Sequence, residues 1–233
     1  MSAEKNGKIE IVGGRPLKGG KGKIAGSSNQ VTKCIIAALL TDEPITIKDA
    51  PLVDERKNVE LLFSTLGGEV NNLDDNTVRL CAKTVSTSII PKEICQQNRI
   101  SILAAGPLLH RFKEVELSAL LGGDQIGKRP VNFHINALEK MGAEVQYNNG
   151  RYHLSVDNNG LQGAEINLEF PSVMTTENIM MTAVLANGRT VINNAAIEPE
   201  IIELAKMLQK MGANIKFTPN RTVIIEGVKR LKG

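Results

Sequence analysis

One short pattern recurs along the chain and dictates its architecture. Leu66-Gly67-Gly68-Glu69-Val70, Met141-Gly142-Ala143-Glu144-Val145 and Met211-Gly212-Ala213-Asn214-Ile215 each close an apolar-periodic stretch and open an alternating one. Before the glycines, Ala137, Leu138 and Met141, and likewise Leu204, Met207, Leu208 and Met211, fall at the spacing of one helix face. Each glycine therefore stands where a helix C-terminus favours a left-handed residue. Polar turns at Asn71 to Asn76, Asn148 to Gly150 and Thr218 to Asn220 then predict a hairpin of short strands. Upstream, each unit carries another helix with its own following strand, at Ile45-Thr46-Ile47, Val115-Glu116-Leu117 and Thr190-Val191-Ile192. The unit reads helix, strand, helix, strand, strand, and a strand at its entrance completes βαβαββ. Three units predict an α/β (α+β) fold of pseudo-threefold symmetry, an inside-out α/β barrel with helices inside and sheets outside.

At 233 residues the chain is long enough to bury a substantial core. It has no apolar run long enough to cross a membrane, and Met1 to Glu10 is too polar for a secretory signal, so a cytoplasmic location is expected. Cys34, Cys81 and Cys95 are odd in number, show no CxxC spacing and sit in or beside apolar segments, as reduced core thiols do. His110, His134 and His153 are scattered without metal-ligand spacing. A net charge of only +3 and the absence of Trp argue against a nucleic-acid partner.

One connector breaks the repeat. Leu121-Gly122-Gly123-Asp124-Gln125-Ile126-Gly127-Lys128-Arg129-Pro130-Val131-Asn132-Phe133-His134 is longer than its equivalents, Asp49 to Arg56 and Asn193 to Glu200, which have no glycine. Its glycines let the backbone turn tightly and approach a ligand. Lys128 and Arg129 precede a helix expected to begin near Pro130, a residue suited to the first helical position. Free N–H groups, a helix dipole and a guanidinium together make an anion site; a long surface loop with solvated charges fits the same spacing. Similar helix starts occur at Gly26-Ser27-Ser28-Asn29, where small polar residues either cap the helix or hold an oxyanion, at Asn98-Arg99, and at Phe170-Pro171-Ser172-Val173-Met174-Thr175-Thr176-Glu177-Asn178. Parallel stacking of the units would bring these starts to one rim.

The segment from Gly122 to His134, with Phe170-Pro171-Ser172-Val173 and Asn194-Ala195-Ala196-Ile197-Glu198-Pro199-Glu200-Ile201, closely resembles the UDP-N-acetylglucosamine enolpyruvyl transferases (1-carboxyvinyltransferases). The similarity runs from about Ile9 to the end. Members of that family move enolpyruvate from phosphoenolpyruvate to the sugar 3-hydroxyl, releasing phosphate, as the first committed step of peptidoglycan synthesis in cell wall biogenesis. The related 5-enolpyruvylshikimate-3-phosphate synthases share the repeat but not the Gly-Arg-Pro-Val-type segment. The resemblance implies two three-unit domains joined by crossing strands, with substrates in the cleft between, and this chain matches the first half only. On that basis residues 1–23 lead in from a missing second domain, 24–222 form the three-repeat domain (units about 24–85, 86–156 and 157–222), and 223–233 return toward the missing domain. A separate C-terminal domain or self-association would complete the cleft. The chemistry implies no metal or cofactor.

Carried over by position, the resemblance implies phosphoenolpyruvate contacts from Arg99, Arg129 and the Ser28 position. It implies UDP-sugar contacts from Asn29, Arg129, Pro130, Val131, Asn132, Phe133, Ser172 and Val173. Gly122, Gly123 and Gly127 belong to a lid that closes over the cleft and excludes water, with Asp124 as the acid-side catalytic group. Three departures stand out. Many members carry cysteine where this chain has Asp124, and fosfomycin needs that thiolate as its nucleophile. Ser28 replaces an active-site lysine, and Lys33, a turn and a fraction further along, is not expected to substitute; Asn132 replaces a common aspartate. Finally, the family's general-base aspartate and further arginines lie in its second half. A catalytically silent truncated homologue that binds a nucleotide sugar or a partner is the alternative.

Overall fold

The computed structural model describes residues 13, 14, 16, 18–22, 24–122 and 131–233. The first unit comprises α1 (Ser28–Ala37) with a 3-10 turn after it (Ala38–Leu40), β1 (Ile45–Ile47), α2 (Asp54–Thr65), and the hairpin β2 (Glu69–Asp74) and β3 (Thr77–Cys81). The second comprises α3 (Lys92–Gln97), a 3-10 segment (Ile100–Ala104) running into α4 (Ala105–Phe112), β4 (Glu114–Ser118), α5 (Asn132–Lys140), β5 (Glu144–Asn148) and β6 (Arg151–Ser155). The third comprises β7 (Glu165–Asn167), α6 (Val173–Ala183), β8 (Arg189–Asn193), α7 (Pro199–Lys210), β9 (Asn214–Thr218) and β10 (Thr222–Glu226).

The repeated glycines do what their spacing predicts. Gly67, Gly142 and Gly212 have φ of +97°, +96° and +107°. The residue after each returns its N–H to the helix, Gly68 to the Phe63 carbonyl at 3.0 Å, Ala143 to Leu138 at 3.0 Å and Ala213 to Leu208 at 2.9 Å. With the glycine N–H bonded to Ser64, Glu139 and Gln209 respectively, all three ends are Schellman motifs. Each motif turns the chain from the outer helix of its unit into the hairpin.

The hairpins build three separate sheets, ordered β1-β3-β2, β4-β6-β5 and β7-β8-β10-β9. In each, the second hairpin strand pairs antiparallel with the strand after the unit's first helix, as in Ile45 opposite Leu80, Val115 opposite Leu154 and Ile192 opposite Val223. Alternation puts Val78, Leu80, Val115, Leu117, Leu154, Ile192, Val223 and Ile225 on the buried face. Arg79 and Lys216 face out. The first hairpin turn is tighter than expected, because β2 continues through Asn71 to Asp74.

The entrance strand proves uneven. Among the described residues it is a true strand only in the third unit, where β7 runs parallel to β8. In the second unit it shrinks to one bridge between Ile89 and Glu116, since the chain turns into α3 at Lys92, the residue whose N–H would continue the pairing. Among the described residues before Ser28 none is in a strand. Two helix assignments also differ from expectation. α3 precedes the Asn98-Arg99 bend, and α5 opens at Asn132 rather than near Pro130, which lies outside the described residues. Val223 to Glu226, expected in the returning segment, are rungs of β10.

The helices fall into two classes. α2, α5 and α7 each bury one face, for example Ile201, Leu204, Ala205 and Leu208 in α7. α6 is buried along its length from Thr175 to Ala183, and α1 from Val31 to Ala37. α4 approaches α6 so closely that a Cβ on Gly106 would stand 2.0 Å from the Thr182 hydroxyl. His110 of α4 donates from Nε2 to the Thr182 carbonyl at 2.7 Å. The first helices of the units thus form the centre, with the sheets around them.

Candidate functional site

The starts of α1, α5 and α6 lie toward one another, joined by contacts in or just before their first two turns, Lys33 with Glu177 and Phe133 and His134 with Phe170 and Asn178. At α1, Ser27 is the N-cap, its hydroxyl accepting from the Gln30 N–H at 3.2 Å. Ser28 is half-buried and Asn29 exposed, so these two present polar groups on the rim. At α6, Ser172 caps in the same way: its hydroxyl accepts weakly from the Thr175 N–H at 3.4 Å and donates to the Thr175 hydroxyl at 2.9 Å. Both caps are engaged within their own helix, and Val173 follows as the first residue of α6.

Several contacts tie this rim together. The Thr176 hydroxyl donates to the Ser172 carbonyl at 2.8 Å and accepts the Ala196 N–H at 3.0 Å, drawing the Asn194 to Glu200 connector onto α6. Phe133, in the first turn of α5, packs edge-on against Phe170 just before α6, with ring centroids 5.0 Å apart. Val131 is buried beneath that turn, while Asn132 is exposed. Arg99 opens the 3-10 segment before α4. Its charge is felt by His134, which is 4% exposed. Burial first, and Arg99 second, push the His134 pKa down to about 3. The ring is therefore neutral, and the Asn178 amide donates to its Nδ1 at 3.1 Å. Gly122, at the start of the glycine-rich connector, is pinned beside this bend. Its N–H donates to the Cys95 carbonyl at 2.8 Å, and a Cβ there would lie 1.9 Å from the Gln96 carbonyl oxygen.

Gly123, Asp124, Gly127, Arg129 and Pro130 lie outside the described residues. Of the other expected site residues, Ser28, Asn29, Arg99, Val131, Asn132, Phe133, Ser172 and Val173 all occupy the first turns of helices or the bend before α4.

Beneath the rim lies a polar layer that the spacing of the motifs did not disclose. Glu177 of α6 is fully buried, and Lys33 of α1, 6% exposed, places its ammonium 4.0 Å from a Glu177 oxygen. Burial raises the Glu177 pKa to about 7; Lys33 pulls it down, while Glu200 and Glu198 push it up. Among the described residues neither Glu177 oxygen has a hydrogen-bond donor. The available signal was a Glu-Asn pair inside a helix whose other residues are apolar or threonine, the pattern of a helix buried on all sides with polar groups facing something specific. Among the described residues no three His, Cys, Asp or Glu side chains gather to hold a metal ion, and no helix is long and apolar enough to cross a membrane.

The profile of the EPSP synthase (3-phosphoshikimate 1-carboxyvinyltransferase) family matches residues 12–233. The chain belongs to the EPSP synthase family. Within it, curated relatives named UDP-N-acetylglucosamine 1-carboxyvinyltransferase are similar across 97% of this chain. Those from Idiomarina loihiensis, Endomicrobium trichonymphae and Paracoccus denitrificans are 44%, 42% and 41% identical over 226 residues. The chain spans about half of their length, 53% in each case. The EPSP synthase family fold is matched by solved structures. The enolpyruvyl transferase NikO from Streptomyces tendae superposes with a TM-score of 0.77 at 16% identity, covering 89% of this chain and 48% of that one. An EPSP synthase from Acinetobacter baumannii gives 0.72 at 17%, covering 92% and 48%.

Proposed function

We propose that this chain is the lid-bearing half of an enzyme that transfers enolpyruvate from phosphoenolpyruvate to the 3-hydroxyl of UDP-N-acetylglucosamine. The supporting observation is that contacts near the starts of α1, α5 and α6 draw these helix ends together, with the charge of Arg99 felt by His134 of α5, in a chain whose curated relatives carry that activity in their names. Converging helix N-termini favour anions through their free N–H groups and dipoles. In this reading Arg99 and Arg129 hold the phosphate of phosphoenolpyruvate beside Ser28, and Asn29 meets the sugar. Pro130, Val131, Asn132 and Phe133 hold uracil and ribose, and Ser172 and Val173 lie at the diphosphate. The lid glycines Gly122, Gly123 and Gly127 carry Asp124 over the cleft. Asp124 delivers a proton to the methylene carbon of phosphoenolpyruvate, and the sugar hydroxyl attacks the resulting oxocarbenium-like carbon. Loss of phosphate, with a proton leaving the new methyl group, restores the double bond.

We assign the three-unit body to about 24–222, continued by β10 to Glu226, with the flanking segments 1–23 and 223–233 leading toward a second domain. That domain, from a separate chain or a second copy, would supply the remaining wall of the cleft and the general base. A cytoplasmic setting agrees with these substrates.

The test is phosphate release from the purified chain with both substrates, with and without the C-terminal half of a full-length homologue. Release on adding that half is the expected result. Release by the chain alone would mean that self-assembly suffices. A second reading, a nucleotide-sugar-binding module, is favoured by Ser28, which offers no fixed charge to phosphate. Binding of UDP-N-acetylglucosamine without phosphate release in either mixture would select it.

A further inference from the structure

We infer that Lys33 is the reserve cation of the rim, and that an anion bound there draws Lys33 away from Glu177 while Glu177 takes up a proton from solvent. This rests on reading the rim as an anion site. Lys33 lies four residues beyond Asn29, on the same face of α1, and helical side chains lean toward the N-terminus. Its ammonium reaches to α6, where Glu177 lies four residues beyond the first residue, Val173, so the pair sits about one turn inside both helix starts. There it meets a carboxylate only loosely, at 4.0 Å and across two helices. A buried ion pair held for stability is closely hydrogen-bonded, because desolvation is otherwise uncompensated. Glu177 has instead two oxygens with no donor among the described residues. The pair is built to come apart.

The surroundings of Glu177 set the direction. From α1 it faces Lys33 and the Cys34 thiol, whose own pKa burial raises to about 11. From the start of α7 it faces Glu198 and Glu200, with Glu203 further along toward Cys34. Beside it on α6, Asn178 is bonded to neutral His134 of α5. Among the described residues, Lys33 is the charge that lowers the pKa of this carboxyl, while Glu200 and Glu198 raise it. Removing Lys33 to a ligand, and adding the ligand's negative charge nearby, both raise the affinity of Glu177 for a proton. The layer remains close to electrically neutral, so the anion is bound without stranding a buried carboxylate.

Titration calorimetry of phosphoenolpyruvate into the full chain, at about pH 8 in buffers of different ionisation enthalpy, tests this by the linked proton count. Wild type should take up close to one proton per anion bound. Glu177→Gln should bind at least as tightly without that uptake. Lys33→Met should weaken binding about tenfold or more, and Lys33→Arg should restore it. The double variant Lys33→Met with Glu177→Gln removes both charges of this pair, so it strands neither, and should bind as weakly as Lys33→Met. Unchanged affinity in both Lys33→Met and the double variant, or unchanged proton uptake in Glu177→Gln, would overturn the inference and leave the anion site standing. Absence of binding by wild type would overturn both.

Discussion

Ser28 and Asp124 stand where the resemblance implies a lysine and, in many members, a cysteine, and each makes a prediction. Ser28 stands half-buried in the first turn of α1, one residue beyond the N-cap Ser27. A lysine there would add a charge-assisted contact worth about 1.5–3 kcal/mol to a bound phosphate, so Ser28→Lys should tighten phosphoenolpyruvate binding about tenfold or more by calorimetry. No gain would show that position 28 does not face the anion. Asp124 cannot act as a thiolate nucleophile, so preincubation with fosfomycin should leave binding or phosphate release unchanged. Intact-mass spectrometry should find no adduct. The Lys33–Glu177 pair was not legible in the sequence, where Lys33 read as too far along the helix to matter. Its significance depends on the opposite helix, which spacing within α1 cannot reveal.

At the scale of elements, glycine serves two separable purposes in this fold. Gly212 ends α7 at φ +107°, and a Cβ added there would meet nothing within 4 Å, so its role is conformational alone. Gly212→Ala should cost about 1–2 kcal/mol in chemical denaturation through backbone strain. Gly106 lies inside α4, where alanine gains helix propensity, yet its added carbon would stand 2.0 Å from the Thr182 hydroxyl. Gly106→Ala should therefore lose about 1–2 kcal/mol net, because overpacking between α4 and α6 outweighs propensity. Pairing it with Thr182→Ala, which removes that hydroxyl, should recover part of the loss, whereas the same second substitution should do nothing for Gly212→Ala. The Schellman glycines were visible in the sequence because a helix end is a local event. Gly106 was not, because nothing local distinguishes a glycine that admits a neighbouring helix.

For the whole molecule, two buried groups shape stability against pH in opposite senses. His134 has its pKa lowered from 6.5 to about 3, so the unfolded chain binds more protons in that interval, and stability falls as pH drops from about 6.5 toward 3. His110 acts in the same direction. Glu177 has its pKa raised from 4.5 to about 7, so the folded state retains a proton that the unfolded chain releases, and stability falls as pH rises from about 4.5 to 7. The stability maximum should lie where these intervals overlap, and Glu177→Gln should become progressively more stable relative to wild type between pH 4.5 and 7. Thermal melts across that range check it; a pH-independent difference would contradict the raised pKa. By itself the sequence determined the threefold repeat, the helix ends, the hairpins and the inward face of each sheet, because each follows from contacts or torsions within a few residues. It also displayed, one by one, the helix starts from Ser28 to Val173 that make up the rim. Only the tertiary structure decided which entrance strands form, that the starts of α1, α5 and α6 are drawn together, and that Lys33 faces Glu177. These depend on residues far apart in the chain brought together by the packing of whole helices, where the cost of burying a charge is set by neighbours that the local sequence does not contain.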